Sequence, residues 1–344
     1  MKPAVNSASR HQDWIDLLRV VSAFAVVVLH LAACVSQQPA DDGWLAGEIY
    51  DALTRWCVPV FVMVSGALLL DDIKRDEPAG TFYRKRLGRL GWAFAFWVTF
   101  YVLFGWADAA VFNRPHDFYE VFEKILSGRP WSHLWFLYMI TGLYLVVPVL
   151  RRWILPLGNA SMRRLIALLL VATSINNFWA IITDRPENPF ILWFADYLGY
   201  FLAGYYLRFR AKYILSSRLA LIFFVGSVIM SVIGMNWILA AGGSLQFARW
   251  FHHYQNPCVM IASLSMFMLA MRSSVPAWAG SIAPLTFGIY LIHPAVQHII
   301  GRLGFYPQRF MPALSIPLLA AITTTISIYA IRIILKIPYL RKTV

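Results

Sequence analysis

WIDLLRVVSAFAVVVLHLAACV, residues 14–35, is apolar or small at every position except Asp16, Arg19 and His30. About twenty such residues in helical conformation cross the hydrocarbon layer of a bilayer, so the segment reads as a transmembrane helix. The residues before it are polar, and no small-residue cleavage site follows it. It is therefore expected to stay in place as a helix rather than serve as a signal peptide.

The rest of the chain extends this reading. Of its 344 residues 59% are hydrophobic and 14% charged, against about 25% charged in soluble domains, and the mean hydropathy is +0.60. Apolar runs of helical length fall at about 15–35, 53–70, 90–112, 133–150, 165–183, 189–207, 219–241, 255–271, 281–301 and 311–335. The expected fold class is an all-α integral membrane protein of about ten transmembrane helices, forming one domain over residues 1–344. No short repeat or heptad array is present.

The net charge of +13 is read as a topology signal, not as a nucleic-acid footprint. Alternate loops carry it: Lys74, Arg75, Arg84, Lys85, Arg86 and Arg89; Arg151, Arg152, Arg163 and Arg164; Arg208, Arg210, Lys212 and Arg218; Lys336, Arg341 and Lys342. The intervening loops are poorer and more acidic, with Asp41, Asp42, Glu48, Asp51, Asp184 and Glu187. Both termini are then expected on the cytoplasmic side. The long loop 113–132, with Arg114, Arg129, Glu120 and Glu123, becomes an external rim. Cys34, Cys57 and Cys258 have no metal-ligand or CxxC spacing and read as small buried residues.

Charge inside a span costs about 2.5–3.5 kcal/mol on insertion scales, which makes each instance a functional candidate. Arg19 and His30 are eleven residues apart, about 20° beyond three full turns, with a rise of about 16.5 Å. They therefore share one face of the first helix. One reading has Arg19 snorkel to the headgroups beside Asp16 while His30 bonds a neighbouring helix. The other has the guanidinium fork bind phosphate or carboxylate and the imidazole carry a proton.

This spacing resembles the opening signature of the membrane acyltransferase 3 family, an Arg and a His with ten residues between them in the first helix. Other segments follow in the same order. Val58-Pro59-Val60-Phe61 leading to Ser65-Gly66 resembles the family's second helix, and Arg86-Leu87-Gly88-Arg89 its RxxR element. His133-Leu134-Trp135-Phe136-Leu137 is similar to its fourth-helix signature, and Gly288-Ile289-Tyr290-Leu291-Ile292-His293-Pro294 to its late helix. The likeness runs from about residue 14 to 300 and is strongest to short stand-alone members such as those that O-acetylate enterobacterial common antigen.

The resemblance implies a bacterial inner-membrane enzyme that moves an acyl group, usually acetyl, from cytoplasmic acyl-CoA to a hydroxyl of a surface glycan or a lipid-linked sugar. Acetyl-CoA or another acyl-CoA is the implied co-substrate, with no metal and no nucleic-acid partner. His30 is assigned as base and Arg19 to donor binding, with Arg86 and Arg89 gathering the CoA phosphates. A covalent acyl-His30 intermediate is an equally available route.

Ser65, Tyr290 and the Trp135 indole are candidate oxyanion donors. His133, at the start of the fourth span, reads as a surface or capping histidine or a rival base. His293 reads as supporting or acceptor-binding, and Pro294, which has no N–H, frees a carbonyl that we assign to Ile289. Asp196 is expected to orient His30, bind a sugar, or pair with Arg55. Asn176, Asn177, Trp44 and Trp131 are further candidate sugar contacts. The alternative reading is a transporter or flippase of a lipid-linked glycan, for which ten helices with intramembrane charges are also suited. No inverted duplication supports it, since the Arg19 and His30 pair has no counterpart in the later spans.

Overall fold

A computed structural model of the chain describes residues 7–37, 39, 43–71, 76–113, 117–185, 188–211 and 215–344. Of the loop charges above, Asp41, Asp42, Lys74, Arg75, Arg114, Glu187 and Lys212 lie outside the described residues. The helices are α1 (Ser7–Val35), α2 (Trp44–Thr54), α3 (Cys57–Leu69), α4 (Ala79–Val111), α5 (Phe118–Leu126), α6 (Trp135–Ile154) and α7 (Asn159–Ile182). They continue as α8 (Leu198–Phe209), α9 (Ser217–Ala240), α10 (Leu245–Ala248), α11 (Pro257–Ala270), α12 (Ala277–Ile282), α13 (Thr286–Arg302) and α14 (Pro312–Lys336). Short 3-10 segments join several of them.

Eight helical stretches among the described residues are long and apolar enough to cross a bilayer. They match the expected segments except the sixth and the eighth. The sixth divides into a 3-10 segment, Phe190–Tyr197, and α8. The eighth is α11, whose fourteen residues reach only about 21 Å. Pro257 fixes its start, where the Asn256 side chain accepts from the Cys258 N–H at 2.8 Å. Both short helices are buried over most of their length, so longer neighbours shield them from lipid.

The second segment starts earlier than the hydropathy pattern suggests. α2 and α3 run almost continuously from Trp44 to Leu69, interrupted at Arg55 and Trp56. Pro59 has no N–H for the Arg55 carbonyl, which accounts for the break. The extension changes the reading of two acids. Glu48 and Asp51, expected in an external loop, lie on α2 at 0% and 1% exposure.

α3 forms the tightest contact of the bundle with α8. A Cβ on Gly66 would sit 1.8 Å from the Phe201 carbonyl oxygen, and one on Gly204 would sit 1.9 Å from that of Met63. Small residues here let two backbones touch, the usual device for helix packing in lipid. α1 crosses the same core, with Trp14, Ile15, Leu18, Ala25, Val26 and Leu29 buried against α3 and its neighbours. α7, by contrast, exposes Leu168, Val171 and Ile175 along its length, as a lipid-facing helix must.

Several arginines read from sequence as orienting charges are built into the bundle. Arg151 is 1% exposed; its Nε donates to the Leu69 carbonyl at 2.8 Å and its Nη1 meets Glu77 at 3.0 Å. Arg208 donates to the Ala67 carbonyl at 2.9 Å, and Arg210 to those of Leu155 and Leu157 at 2.7 and 2.8 Å. Carbonyls in the last turn of a helix have no partner within it, and these cations supply one. The basic segments thereby gather at one end of the bundle, beside the C-termini of α3, α6 and α8.

Candidate functional site

His30 is half-buried on α1, about one and a half turns from the helix end, and its ring meets two others. The His293 ring lies 5.1 Å away and the His133 ring 6.5 Å away, centre to centre, and those two are 5.7 Å apart. Three histidines from α1, the turn before α6, and α13 thus converge. His133 is not a surface or capping residue: it is 1% exposed, because the turn preceding α6 folds into the bundle beside α13. Its Nε2 lies 3.2 Å from the Leu291 carbonyl, while its Nδ1 is buried with no partner among the described residues.

Pro294 explains the placement of His293. A proline nitrogen cannot donate to the carbonyl four residues back, and that residue is Tyr290, which corrects the assignment to Ile289. The His293 ring takes up the freed group: Nδ1 lies 2.7 Å from the Tyr290 carbonyl oxygen and 3.2 Å from that of Ile289. With Nδ1 carrying the hydrogen for these bonds, Nε2 is the lone-pair nitrogen, and it is buried with no partner among the described residues. The Tyr290 hydroxyl donates to the His133 carbonyl. It therefore braces His133, and its proton is already committed.

A cavity of about 250 Å³ opens beside His30. Its wall includes Trp131, Gln297, His298, Gln308 and Thr323. Gln297 and Gln308 anchor their amide nitrogens on α1 carbonyls, those of Val27 and Cys34, which leaves each side-chain oxygen as an acceptor. His298 Nε2 lies 2.8 Å from Asp108, whose other oxygen binds Arg302 at 2.6 Å. Trp131 stands 4.9 Å from Tyr101 and 6.2 Å from His298. The cavity lining thus combines aromatic rings with hydrogen-bonding side chains in a largely apolar wall.

Three turns down the same helix, Arg19 is about a third exposed and meets Asp16 at 3.6 Å, the local pairing considered from sequence. It is not isolated there. The Tyr144 hydroxyl, on α6, pairs with Ser65 and lies within electrostatic reach of Arg86, Arg19 and Arg89. The RxxR arginines and the α1 arginine thus lie toward the same end of the bundle as this tyrosine. Ser65 belongs to this end of the bundle and not to the histidines. Arg89 also donates to the Val344 carbonyl at 3.3 Å, and Trp97 to that of Thr343 at 2.9 Å.

The remaining sequence candidates scatter. Trp135 lies among Tyr254, Tyr197 and Trp193. Asp196 sits in the 3-10 segment before α8, where its backbone carbonyl accepts from Gln255 at 3.4 Å. It is not the partner expected for Arg55: that guanidinium grips Asp51 through both nitrogens, Nη2 to Oδ2 at 2.8 Å. Trp44 is buried against Met235 and Ile238, and is not part of the wall of the cavity beside His30. Asn176 is exposed on α7, and the buried oxygen of Asn177 has no partner among the described residues. The three cysteines are free thiols.

Sequence reasoning missed a buried ionic group beside the histidines. His252 approaches Glu48 at 3.4 Å and Asp51 at 3.6 Å, and the charges that reach His30 are those of Arg55 and Asp51. The i, i+3 and i+7 spacing of Glu48, Asp51 and Arg55 puts all three on one helical face. That signal was available once residues 44–54 were read as helix instead of loop. Among the described residues, no group of three or more His, Cys, Asp or Glu is arranged to hold a metal ion.

A family model described as an acyltransferase domain matches residues 12–332. The chain belongs to the acyltransferase 3 family. The match takes in all five quoted motifs, and with it the chain is a membrane acyltransferase with an all-α, multi-pass fold. No curated protein and no solved structure matches the chain. In this acyltransferase the first-helix Arg and His stand at opposite ends of one stripe, one beside the RxxR arginines and the other on a cavity.

Proposed function

We propose that this acyltransferase moves an acyl group, most simply acetyl, from acyl-CoA to a hydroxyl of a surface glycan or its lipid-linked precursor, in the bacterial inner membrane. One observation carries the reading: a single helix face joins a cationic cluster, Arg19 with Arg86 and Arg89 within electrostatic reach of Tyr144, to an imidazole that opens on a cavity of sugar-ring size. The cluster suits the phosphates of CoA, since guanidinium forks pair with phosphate oxygens. By the positive-inside rule that end faces the cytoplasm, where acyl-CoA is made.

At the chemical step the neutral His30 imidazole accepts the acceptor's hydroxyl proton as the oxygen attacks the thioester carbonyl. The carbon–sulfur bond breaks, and the imidazolium returns its proton to the departing thiolate, giving ester and free CoA. General-base help of this kind contributes about 100- to 10,000-fold. His293, tilted, and His133, edge-on, pack against His30 and fix its position, each held in turn by an α13 carbonyl.

Mass analysis of surface polysaccharide from cells carrying wild type, Arg19→Ala or His30→Ala at matched membrane levels tests the reading. Loss of an acetyl mass increment in both variants is expected. Persistence of the increment in His30→Ala sinks the assignment of the base, and arrested glycan export with acetylation intact favours a transporter.

A further inference from the structure

Hydroxyls in a buried helix ordinarily bond the carbonyl one turn back, and this bundle follows the habit. Ser65 donates to Phe61 at 3.0 Å, Thr141 to Leu137 at 2.6 Å, Thr173 to Leu169 at 2.9 Å and Ser263 to Val259 at 2.6 Å. Among the described residues four depart from it: Thr324 on α14, itself only half-buried, and three that are fully buried. Ser22 on α1, with Thr323 and Ser327 on α14, are 0%, 1% and 0% exposed, and among the described residues their hydroxyls have no partner. A buried, unbonded hydroxyl destabilises by about 1–3 kcal/mol, so three together call for an occupant that satisfies them.

Their positions trace a line. α14 starts beside the far end of α1, where Gly43 meets Pro312 and the Tyr50 hydroxyl bonds the Ala313 carbonyl at 2.8 Å. Val27, Val28, Leu31 and Val35 of α1 pack on Ile316, Leu319 and Ala320. α14 then runs back along α1, and the segment after it reaches α4 at Trp97 and Arg89. Thr323 lines the cavity that holds His30. Ser327 is one turn further toward the arginines, on the same face as Thr323. Ser22 lies about 4.5 Å above Arg19 and about 60° around the helix from the Arg19–His30 stripe.

Given the acyl-CoA reading above, the geometry points to these three hydroxyls as the binding tract for the donor's pantetheine arm. That arm must lie along the interval from the phosphate-binding arginines to His30, and it carries two secondary amides and a hydroxyl. In an apolar bundle each of these needs a partner. Thr323 and Ser327 supply two from α14, and Ser22 a third from α1. The tract reads the amide arm, while the nucleotide is left to Arg19, Arg86 and Arg89.

The test uses the full-length protein in detergent, with titration calorimetry of acetyl-CoA and of adenosine 3′,5′-bisphosphate, which lacks the arm. The variant Thr323→Val with Ser327→Ala keeps side-chain volume close to wild type. Its affinity for acetyl-CoA is expected to fall about tenfold or more, with nucleotide affinity unchanged. Its unliganded unfolding midpoint should be no lower than wild type, because two unsatisfied buried groups are gone. Unaltered acetyl-CoA affinity overturns the proposal, and so does an equal loss for both ligands or a lowered midpoint, since the hydroxyls would then be structural. If wild type binds no acetyl-CoA while folded, the acyl-CoA reading itself fails, which is a different result from the variant's.

Discussion

The His30 ring stands 5.1 Å from that of His293, although the two lie on the first and thirteenth helices. The contact depends on Pro294. By withdrawing an amide hydrogen from the Tyr290 carbonyl, the proline lets His293 Nδ1 bond there at 2.7 Å, which turns the opposite edge of the ring inward. Replacing Pro294 by Ala would return that carbonyl to the helix ladder and release the ring. We expect Pro294→Ala to leave the fold at least as stable, by thermal unfolding, and to lower acyl transfer severalfold. Full activity would show that the proline is incidental.

His30 itself should tolerate loss of its ring structurally and not chemically. His30→Ala is expected to reduce acyl transfer by about 100-fold or more, measured as acetyl mass on glycan. Its unfolding midpoint should shift little, because the ring already borders a cavity. A mild rate effect would point to one of the other two histidines as base.

The buried ionic group makes an opposite prediction. Asp51→Asn leaves the Arg55 guanidinium without its carboxylate in a buried setting, and breaking such a pair costs about 3–5 kcal/mol. The variant should be recovered at low yield and with a sharply lower midpoint. A normal midpoint would mean that another group neutralises Arg55.

Glu77 gives a pH signature. Its hydrogen bond from Arg151, with Lys85 adding to it, holds its carboxyl below the usual carboxylate range. A lowered folded value means the contribution is complete above the ordinary carboxyl range and is lost as acidity passes through the folded value. Wild type should therefore exceed Glu77→Gln in midpoint at neutral pH, and the difference should vanish in strong acid. The gap is expected to be small, because Glu77 is near solvent.

Gly66→Ala tests the core. Its Cβ would fall 1.8 Å from the Phe201 carbonyl oxygen, a clash with backbone that no rotamer relieves. A loss of about 1–3 kcal/mol or more is expected, read as a lowered midpoint, whereas Gly226→Ala on α9, with open space around it, should change nothing.

What the sequence revealed follows from which forces act locally. Long apolar runs report span number because lipid acts on each segment separately, and the Arg19–His30 stripe is helical arithmetic. The convergence of His133 and His293 on His30 is a property of three distant segments, and nothing in their spacing announces it. Glu48 and Asp51 misled for a related reason. Acids beside a hydrophobic run look like loop, and only their shared face with Arg55, buried against His252, makes them helical and internal.

Arg151, Arg208 and Arg210 each close the carbonyl end of a helix. Cationic residues of this kind also tell the insertion machinery which way a segment should lie. If the positive-inside rule orients this chain, biogenesis and final assembly draw on the same side chains. Redrawing its orientation by moving those positive groups would unfasten the helices as well, so an upside-down form has no stable architecture to settle into.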